Sequence, residues 1–534
     1  MPRQFNTAGP SIREDHYMLD PLVRIDAEEI ESLIDSKRYF VLHAPRQTGK
    51  TTCLLALMDD LNKKGRYRAL YANVESAQVA RNDIQQGVEV IASVIAHAAS
   101  LYLGEPQLIA WLAKEGEQIP VGNRLTQLLA YWTQSSTRPT VLFLDEVDAL
   151  VGDTLVSLLR QLRTGYTQRP QAFPQAIILC GIRDIRDYRI HQGSGEIITG
   201  GSAFNIKTKS LSLGNFTKEQ CIALWQLHET ETRQMFDPSI WIELWQDTMG
   251  QPWLVNALAY ECTWEDRSAR ADRSIPITLE RYKAARERLI LRRDTHLDQL
   301  TDKLSEPRVQ HVMALLLSGE DILSQVSLDD RQYVEDLGLV CSRPQLSIAN
   351  RIYAEVIPRE LTWVTQTTIT HQQTWYITPE RHINMPKLMA AFQQFFREHS
   401  DAWLAGFSYR EAGPQLLLQA FLQRIINGGG RINREYGLGL MRTDLLLEWP
   451  IDPEQGYHGP MQRVVIECKL LHTGRKLETT IAEGLRQTAD YADRCAADEM
   501  HLIIFDRQPG KTWGKRIWMK QKQHNGHEIT VWGA

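Results

Sequence analysis

A short loop, Ala44-Pro45-Arg46-Gln47-Thr48-Gly49-Lys50-Thr51, lies between an apolar run from Tyr39 to Ala44 and a stretch of helical spacing from Thr51 to Leu61. A strand that ends in a glycine-containing loop and enters a helix at once aims successive backbone N–H groups at one point. That point is an anion site. In such a loop Lys50 reaches the β- and γ-phosphates of a nucleotide, and the Thr51 hydroxyl is a ligand for Mg²⁺. Pro45, Arg46, Gln47, Thr48, Gly49 and Thr52 are the other candidate contacts. Ala44 stands where the usual pattern has its first glycine, while the Gly-Lys-Thr end is intact.

The second half of such a site is an acidic group carried on a buried strand. Val141-Leu142-Phe143-Leu144 is an apolar run ending in Asp145-Glu146. Asp145 would enter the Mg²⁺ shell, and Glu146 would polarise the attacking water. An acidic pair after an apolar strand is common by chance; its place after a phosphate loop is not. The plainer reading is a site that binds nucleotide without hydrolysing it.

Strand-like runs at Tyr39–Ala44, Tyr67–Val74, Val141–Leu144 and Ala176–Cys180 alternate with helical stretches such as Asp83–Leu103. That alternation predicts a parallel sheet covered on both faces. Helical signal follows from Phe216 to Tyr282. Next come a helix at Val309–Leu317, a short helix at Leu328–Leu337 and a hairpin through Val340–Ile348, the order of a winged helix-turn-helix. Val364–Arg381 reads as a linker or strap, and helices are expected at Met385–Glu398 and Pro414–Asn427. Gly428-Gly429-Gly430 ends the second of these sharply. Strands at Ile432–Tyr436, Arg442–Trp449 and Arg463–Leu470, a helix at Ile481–Arg494 and a strand at His501–Phe505 complete the pattern.

This C-terminal stretch carries a second arrangement with metal chemistry. Hydrolysis of a phosphodiester needs hard oxygen ligands and a cation beside the attacking water. On a strand, Glu467 and Lys469 project from one face, and Asp444 begins the neighbouring strand. Asp444 and Glu467 would bind Mg²⁺, the Cys468 carbonyl would complete the shell, and Lys469 would position the water. The Cys468 side chain belongs on the opposite face, in the core. Glu435 and Glu411 are weaker candidates for a supporting acid. Glu-x-Lys alone is usually a solvated strand edge; the added elements around it favour the site.

With 534 residues the chain exceeds one core, and 43% hydrophobic with 23% charged residues is ordinary for globular protein. A net charge of -5 excludes a generally basic, DNA-coating protein while permitting local basic surfaces such as Arg281–Arg293 and Arg424–Arg442. The first of these is read equally as a solvated helix face or a DNA contact. Seven cysteines without a Cys-x-x-Cys pair argue against disulfide framework and zinc site alike. No leader-like apolar stretch and no run of membrane-spanning length stand out, so the expectation is a cytoplasmic protein without membrane contact.

The extra strand between the phosphate loop and Asp145-Glu146 resembles the AAA+ ATPases. That resemblance puts Arg183 at the sensor-1 position, where contact with the γ-phosphate and a surface salt bridge to Asp184 or Asp187 both remain open. Gly250-Gln251-Pro252-Trp253 resembles the Gly-x-Pro motif of STAND-type relatives, with Pro252 near the nucleotide; an ordinary helix start is the alternative. Asp444 with Glu467-Cys468-Lys469 resembles the PD-(D/E)XK nucleases, with Arg-Thr-Asp in place of Pro-Asp. Gln487 and Tyr491 match the Gln-x-x-x-Tyr motif of the RecB-like branch. At i and i+4 they share a helix face, from which they could reach the DNA backbone or Lys469. More widely, HAPRQTGKTT, IANRIYAEVIPREL, AFLQRIINGGGRINREYGLG and VWGA resemble a bacterial family of AAA-like ATP-binding proteins.

The fold expected from that resemblance is an α/β multidomain chain. It has a P-loop AAA+ core at 1–215, a helical lid at 216–285, a winged helix at 286–362, a linker and strap at 363–399 and a PD-(D/E)XK domain at 400–534. The implied function is an ATP- and Mg²⁺-using enzyme that controls an attached nuclease, with DNA favoured over RNA and self-association on ATP binding. Defence or mobile-element biology is the setting the resemblance implies. The alternative is a STAND-like signalling or scaffold ATPase whose nuclease fold binds nucleic acid without cutting. A transcription regulator is disfavoured, since Asp329, Asp330, Glu335 and Asp336 on the would-be recognition helix repel phosphates.

Overall fold

The computed structural model describes residues 2–182, 190–191, 197–198, 209–292, 303–318, 326–342, 346–361, 376–406, 413–426, 430–435, 444–452, 455, 459–472, 474–506, 508 and 510–534. The chain divides into two compact units, Met1–Phe236 with Met249–Pro276, and Asp237–Thr248 with Ile277–Ala534. Of the stretch expected as a lid, 216–236 and 249–276 therefore group with the N-terminal unit, and 237–248 and 277–285 with the C-terminal one.

The N-terminal unit is built on strands β1 (Phe40–His43), β2 (Arg68–Asn73), β3 (Thr140–Asp145), β4 (Ala176–Gly181) and β5 (Lys209–Ser212). They form one sheet in the order β2-β3-β4-β1-β5, with every pair parallel. The expected doubly covered parallel sheet is thus observed. Residues alternate between the faces. Leu70, Leu142, Leu144, Ile177 and Leu179 pack with helices α2 (Ile84–Leu103), α3 (Val121–Ser135) and α4 (Gly152–Gly165). Phe40, Leu42, Tyr71, Phe143 and Ile178 pack with the helix Ala27–Asp35 and with α1 (Lys50–Lys64). Burial on both sides is why β3 and β4 read as unbroken apolar runs.

Local chemistry sets the helix ends. The Asp83 side chain accepts from the Gln86 N–H at the start of α2, and left-handed Gly104 (φ 67°) ends it. In length and apolarity α2 does qualify as a membrane span, which corrects the expectation that no run does. Its Val88, Ile91, Ala92, Ile95, Ala96 and Ala99 are buried in the sheet core.

The C-terminal unit holds helices Pro307–Ser318 and Leu328–Asp336, a two-residue-stranded hairpin pairing Val340 with Ile348, and the helix Arg351–Leu361. Arg308 pairs with Asp329 and Asp330, so part of the acidic charge at the start of the second helix is neutralised internally. The larger element is a sheet of β6 (Arg431–Glu435), β7 (Asp444–Pro450), β8 (Met461–Leu471), β9 (Glu499–Asp506), β10 (Trp518–His524) and β11 (His527–Gly533), in the order β6-β7-β8-β9-β11-β10. β6, β7 and β8 are antiparallel neighbours. β8–β9 and β9–β11 are parallel, the first joined by a helical crossover. Helices α6 (Met385–Gly406) and α7 (Gly413–Ile426) cover one face, and α8 (Leu477–Cys495) covers the other.

Two buried polar arrangements make the packing measurable. In the C-terminal unit Arg286, on the helix Leu279–Arg292, meets Asp247 at 3.1 Å and also pairs with Glu355. Tyr282 donates to Asp247 at 2.9 Å. Burial disfavours the guanidinium charge, but Asp247 and Glu355 outweigh it and raise the Arg286 pKa. Removing the cation strands two buried carboxylates. Arg286→Met should therefore destabilise this unit by about 3–5 kcal/mol, read as a lowered urea midpoint for its unfolding transition.

In the N-terminal unit the His228 ring sits among Phe5, Tyr17 and Phe236, and burial depresses its pKa from 6.5 to about 4. The unfolded chain binds this proton first, so the contribution is full above pH 6.5 and is lost as the pH falls toward about 4. Melting temperatures across that window should fall less steeply for His228→Leu than for the wild type.

Candidate functional site

The phosphate loop leaves β1 at the carboxyl end of the parallel sheet. Ala44 is fully buried against Cys53 and Leu213, so a small side chain is built into the wall where the usual pattern has glycine. Gln47 and Gly49 take left-handed backbone (φ 57° and 80°), and the loop closes through the Thr48 hydroxyl, which donates to the Pro45 carbonyl at 2.8 Å. α1 begins at Lys50.

Asp145 ends β3, wholly buried. Its Oδ2 accepts from the Thr51 hydroxyl at 2.9 Å and from the Tyr71 hydroxyl at 3.0 Å. Lys50 Nζ stands 3.6 Å from Asp145 Oδ1 and 3.3 Å from Glu146 Oε1. Four of the expected residues, Lys50, Thr51, Asp145 and Glu146, therefore converge. Burial opposes the Lys50 charge, but Asp145, Glu146 and Asp148 together raise its pKa. Burial also raises the Glu146 carboxyl, against the pull of Lys50. Glu146 has φ 58°, unusual for a residue with a side chain and commonest where position matters more than local energy.

The oxygen-only pair of Thr51 and Asp145 fits Mg²⁺, which prefers hard ligands, and the ammonium of Lys50 fits a phosphate. Thr52 turns elsewhere: its hydroxyl oxygen accepts the Ser11 N–H at 3.1 Å. Arg46 and Gln47 are exposed and Pro45 is half-buried. Arg183 lies outside the described residues.

Beside the loop opens a cleft lined by, among others, Gln47, Gly49, Thr52, Phe216, Pro252 and Trp253. Pro252 thus shares one cavity with the phosphate loop. It is the first residue of α5 (Pro252–Tyr260), whose N-terminus is capped by the Gln251 side chain. Gln251 Nε2 also donates to the Gln47 carbonyl at 3.4 Å. Gly250 (φ 72°) is required there, since a Cβ would lie 1.9 Å from the Phe216 carbonyl oxygen. Residues between Asn6 and Asp20, among them Asn6, Thr7, Ser11 and Leu19, also border the cleft, and Trp253 Nε1 donates to the Thr7 carbonyl at 2.9 Å.

Three contributors escaped the sequence reading. Tyr71 holds Asp145 from the adjacent strand. Arg24 donates to the carbonyls of Thr48 and Gly214, joining the loop to the end of β5. Gln251 reads only as a turn residue. Only Tyr71 carried a signal, being a polar-tipped ring one strand away from the acid.

In the C-terminal unit Glu467 is fully buried in β8, and Lys469 Nζ lies 2.5 Å from its Oε1. Cys468 packs on the opposite face with Ile466 and Leu470. Leu445 pairs with Ile466; one further step in that register sets the backbone of Asp444 opposite Glu467. The side chains of Asp444 and Glu435, and the whole of Glu411, lie outside the described residues.

α8 packs over the face shared by Glu467, Lys469 and Leu471; its Leu485 and Ala489 join Leu471 and Leu502. Gln487 and Tyr491 stand on this helix, Tyr491 buried and Gln487 half-buried. Among the described residues no group of three or more His, Cys, Asp or Glu forms a metal cluster. The fully buried Glu467 carboxylate needs nearby positive charge. Lys469 supplies one cation, and an Mg²⁺ ion suits the same oxygen donor.

No protein-family description and no curated protein matches the chain. Among solved structures, it is similar to a Walker-type ATPase of Pyrococcus abyssi, with 14% identity and a TM-score of 0.46, covering 66% of this chain and 99% of that one. Similarity to Cdc6p from Pyrobaculum aerophilum has 15% identity, a TM-score of 0.35 and coverage of 64% and 94%. For a RuvB Holliday junction branch migration motor of Thermotoga maritima the values are 13%, 0.33, 62% and 93%.

The cleft makes one sharp demand. Gly250→Ala forces both a strained φ and a clash with the backbone of Phe216, so it should destabilise the N-terminal unit by roughly 2 kcal/mol or more. Gly214 has nothing within 4 Å of its Cβ position. Gly214→Ala should stay within about 0.5 kcal/mol of wild type in the same thermal unfolding measurement.

Proposed function

We propose that the chain is an ATP-hydrolysing enzyme whose nucleotide cycle governs an attached, Mg²⁺-dependent nuclease acting on DNA. The observation that carries the ATPase half is the convergence of Lys50, Thr51, Asp145 and Glu146 around one point. Lys50 holds the β- and γ-phosphates. Thr51 and Asp145 would hold a Mg²⁺ ion, which would supply charge to neutralise the phosphate oxygens. Glu146 orients the attacking water toward the γ-phosphorus, and its raised proton affinity suits that task. The cleft beside Pro252 and Trp253 takes the base and ribose.

For the nuclease half, support comes from Glu467 and Lys469 on one strand face, the register of Asp444 opposite Glu467, and the helix of Gln487 and Tyr491 over that face. Asp444, Glu467 and the Cys468 carbonyl would hold Mg²⁺, which would supply an activated water and a Lewis acid for the phosphoryl oxygen. Lys469 orients the water, while Gln487 and Tyr491 steady the backbone of the nucleic acid. These elements favour a PD-(D/E)XK assignment for 400–534. The two helices and hairpin within 307–348 favour a winged helix. Its acidic second helix suits contact with protein better than with DNA. Nucleotide-dependent self-association is part of the same proposal.

Degradation of linear and circular DNA with Mg²⁺, with and without ATP, tests both halves. Lys469→Ala should abolish cutting and leave ATP hydrolysis intact. Glu146→Gln should bind ATP and hydrolyse it slower by a factor on the order of 10² or more. Lys50→Ala should lose ATP binding and the ATP dependence of cutting. Equal degradation by all of these proteins would defeat the nuclease half. Metal binding without cutting would instead favour a scaffold that holds nucleic acid.

A further inference from the structure

The C-terminal unit carries a run of positive charge in a chain whose net charge is -5. From Arg507 to His527 there is no Asp or Glu, while Lys511, Lys515, Arg516, Lys520 and Lys522 fall within the stretch. Asp506 is taken by Lys511 at 2.6 Å, and Asp493 on α8 by His527 at 2.9 Å. Lys520 and Lys522 stand on the edge strand β10, both exposed, and among the described residues neither pairs with a carboxylate. Lys520 Nζ leans over the Trp518 ring, 5.3 Å from its centroid.

Lysines on an edge strand commonly serve only to keep other chains from pairing with it. The ladder ties these two to the candidate nuclease site. Glu467 pairs with Leu502, Leu502 with Val531 and Val531 with Lys520. Lys469 pairs with Ile504, Ile504 with Gly533 and Gly533 with Trp518. Paired residues project from one face of a sheet, so Lys520 shares a row with Glu467, and Lys522 shares its face. Across the ladder the two lysines meet Val531 and Ile529, while Glu528 pairs with Gln523 and faces the other side. α8 covers the middle of the row through Leu485 and Ala489. Three strand steps of about 4.8 Å set the backbone of Lys520 roughly 14 Å from that of Glu467, the length of about four base pairs.

We propose that Lys520 and Lys522 form a phosphate-contacting row that holds the DNA backbone beside the candidate nuclease site. This rests on the nuclease reading above and adds where the duplex lies. The two stems stand about 7 Å apart along β10. Each therefore meets a different phosphate of a strand that carries one about every 3.4 Å of its axis. Contacts to phosphate position a duplex without reading its sequence. Neither lysine belongs to the metal-binding group, so their removal weakens binding rather than chemistry.

The test is fluorescence anisotropy of a labelled DNA duplex titrated with the full chain over a range of salt, without Mg²⁺ so that nothing is cut. Thermal melts check the fold of each variant. The double variant Lys520→Gln with Lys522→Gln should bind roughly tenfold more weakly at low salt, and its slope of log affinity against log salt should be shallower by about 2. Lys520→Arg with Lys522→Arg should restore both. With Mg²⁺ and saturating DNA, the glutamine variant should cut at the wild-type rate. A folded glutamine variant with wild-type affinity and slope overturns this assignment alone. A loss confined to an RNA duplex of the same sequence overturns DNA as the occupant. Failure of wild type to bind DNA overturns the nuclease reading, and this inference with it.

Discussion

The buried carboxylate of Asp145 is the constraint on which the N-terminal unit turns. A carboxylate removed from water is strongly unfavourable unless it is hydrogen-bonded and paired. Here the Thr51 and Tyr71 hydroxyls donate to it and Lys50 stands near. Thr51 and Lys50 come from the start of α1, just after β1, and Tyr71 comes from β2, so satisfying one acid brings the ends of β1, β2 and β3 to one place. The parallel register permits this, because carboxyl ends of parallel strands lie along one edge of the sheet. The left-handed residues Gln47 and Glu146 at that edge accept local strain that the surrounding packing holds in place.

The C-terminal unit meets a related demand differently. Glu467 is as buried as Asp145, but its partner is two residues away on the same strand face. The antiparallel ladder of β6, β7 and β8 carries Asp444 to the register position opposite it. The parallel crossover through α8 then covers that face, so close that a Cβ on Gly484 would lie 2.6 Å from Leu502. One sheet thus combines a hairpin layer, which sets register, with a crossover, which shields the acid.

Much of this was legible in the chain. The apolar runs of β1, β3 and β4 could be read because parallel strands are buried on both faces. β8 and α8 followed from residue type and spacing, and the Glu467–Lys469 pairing from the two-residue period of a strand. Other elements could not be read. α3 and α4 are helices whose place depends on packing against the sheet. β10 carries Met519-Lys520-Gln521-Lys522-Gln523, exposed throughout. Nothing in its pattern marks a strand, and it exists as one because β11 offers a ladder. The tolerance of Ala44 was equally hidden, since Leu213, which walls it in, is remote in sequence.

What the chain alone determined is chemistry between near neighbours. A loop ending in Gly-Lys-Thr, an acid after an apolar run and a Glu-x-Lys on a strand each act over a few residues, where backbone geometry fixes which side chains share a face. The tertiary structure decided everything that joins distant residues. Thr51 and Asp145 meet across 94 positions, Gln251 and Gln47 across 204, and Arg24 and Gly214 across 190. Such contacts leave no periodic trace, because the loop lengths between them are free to vary while packing and buried polar groups specify the ends.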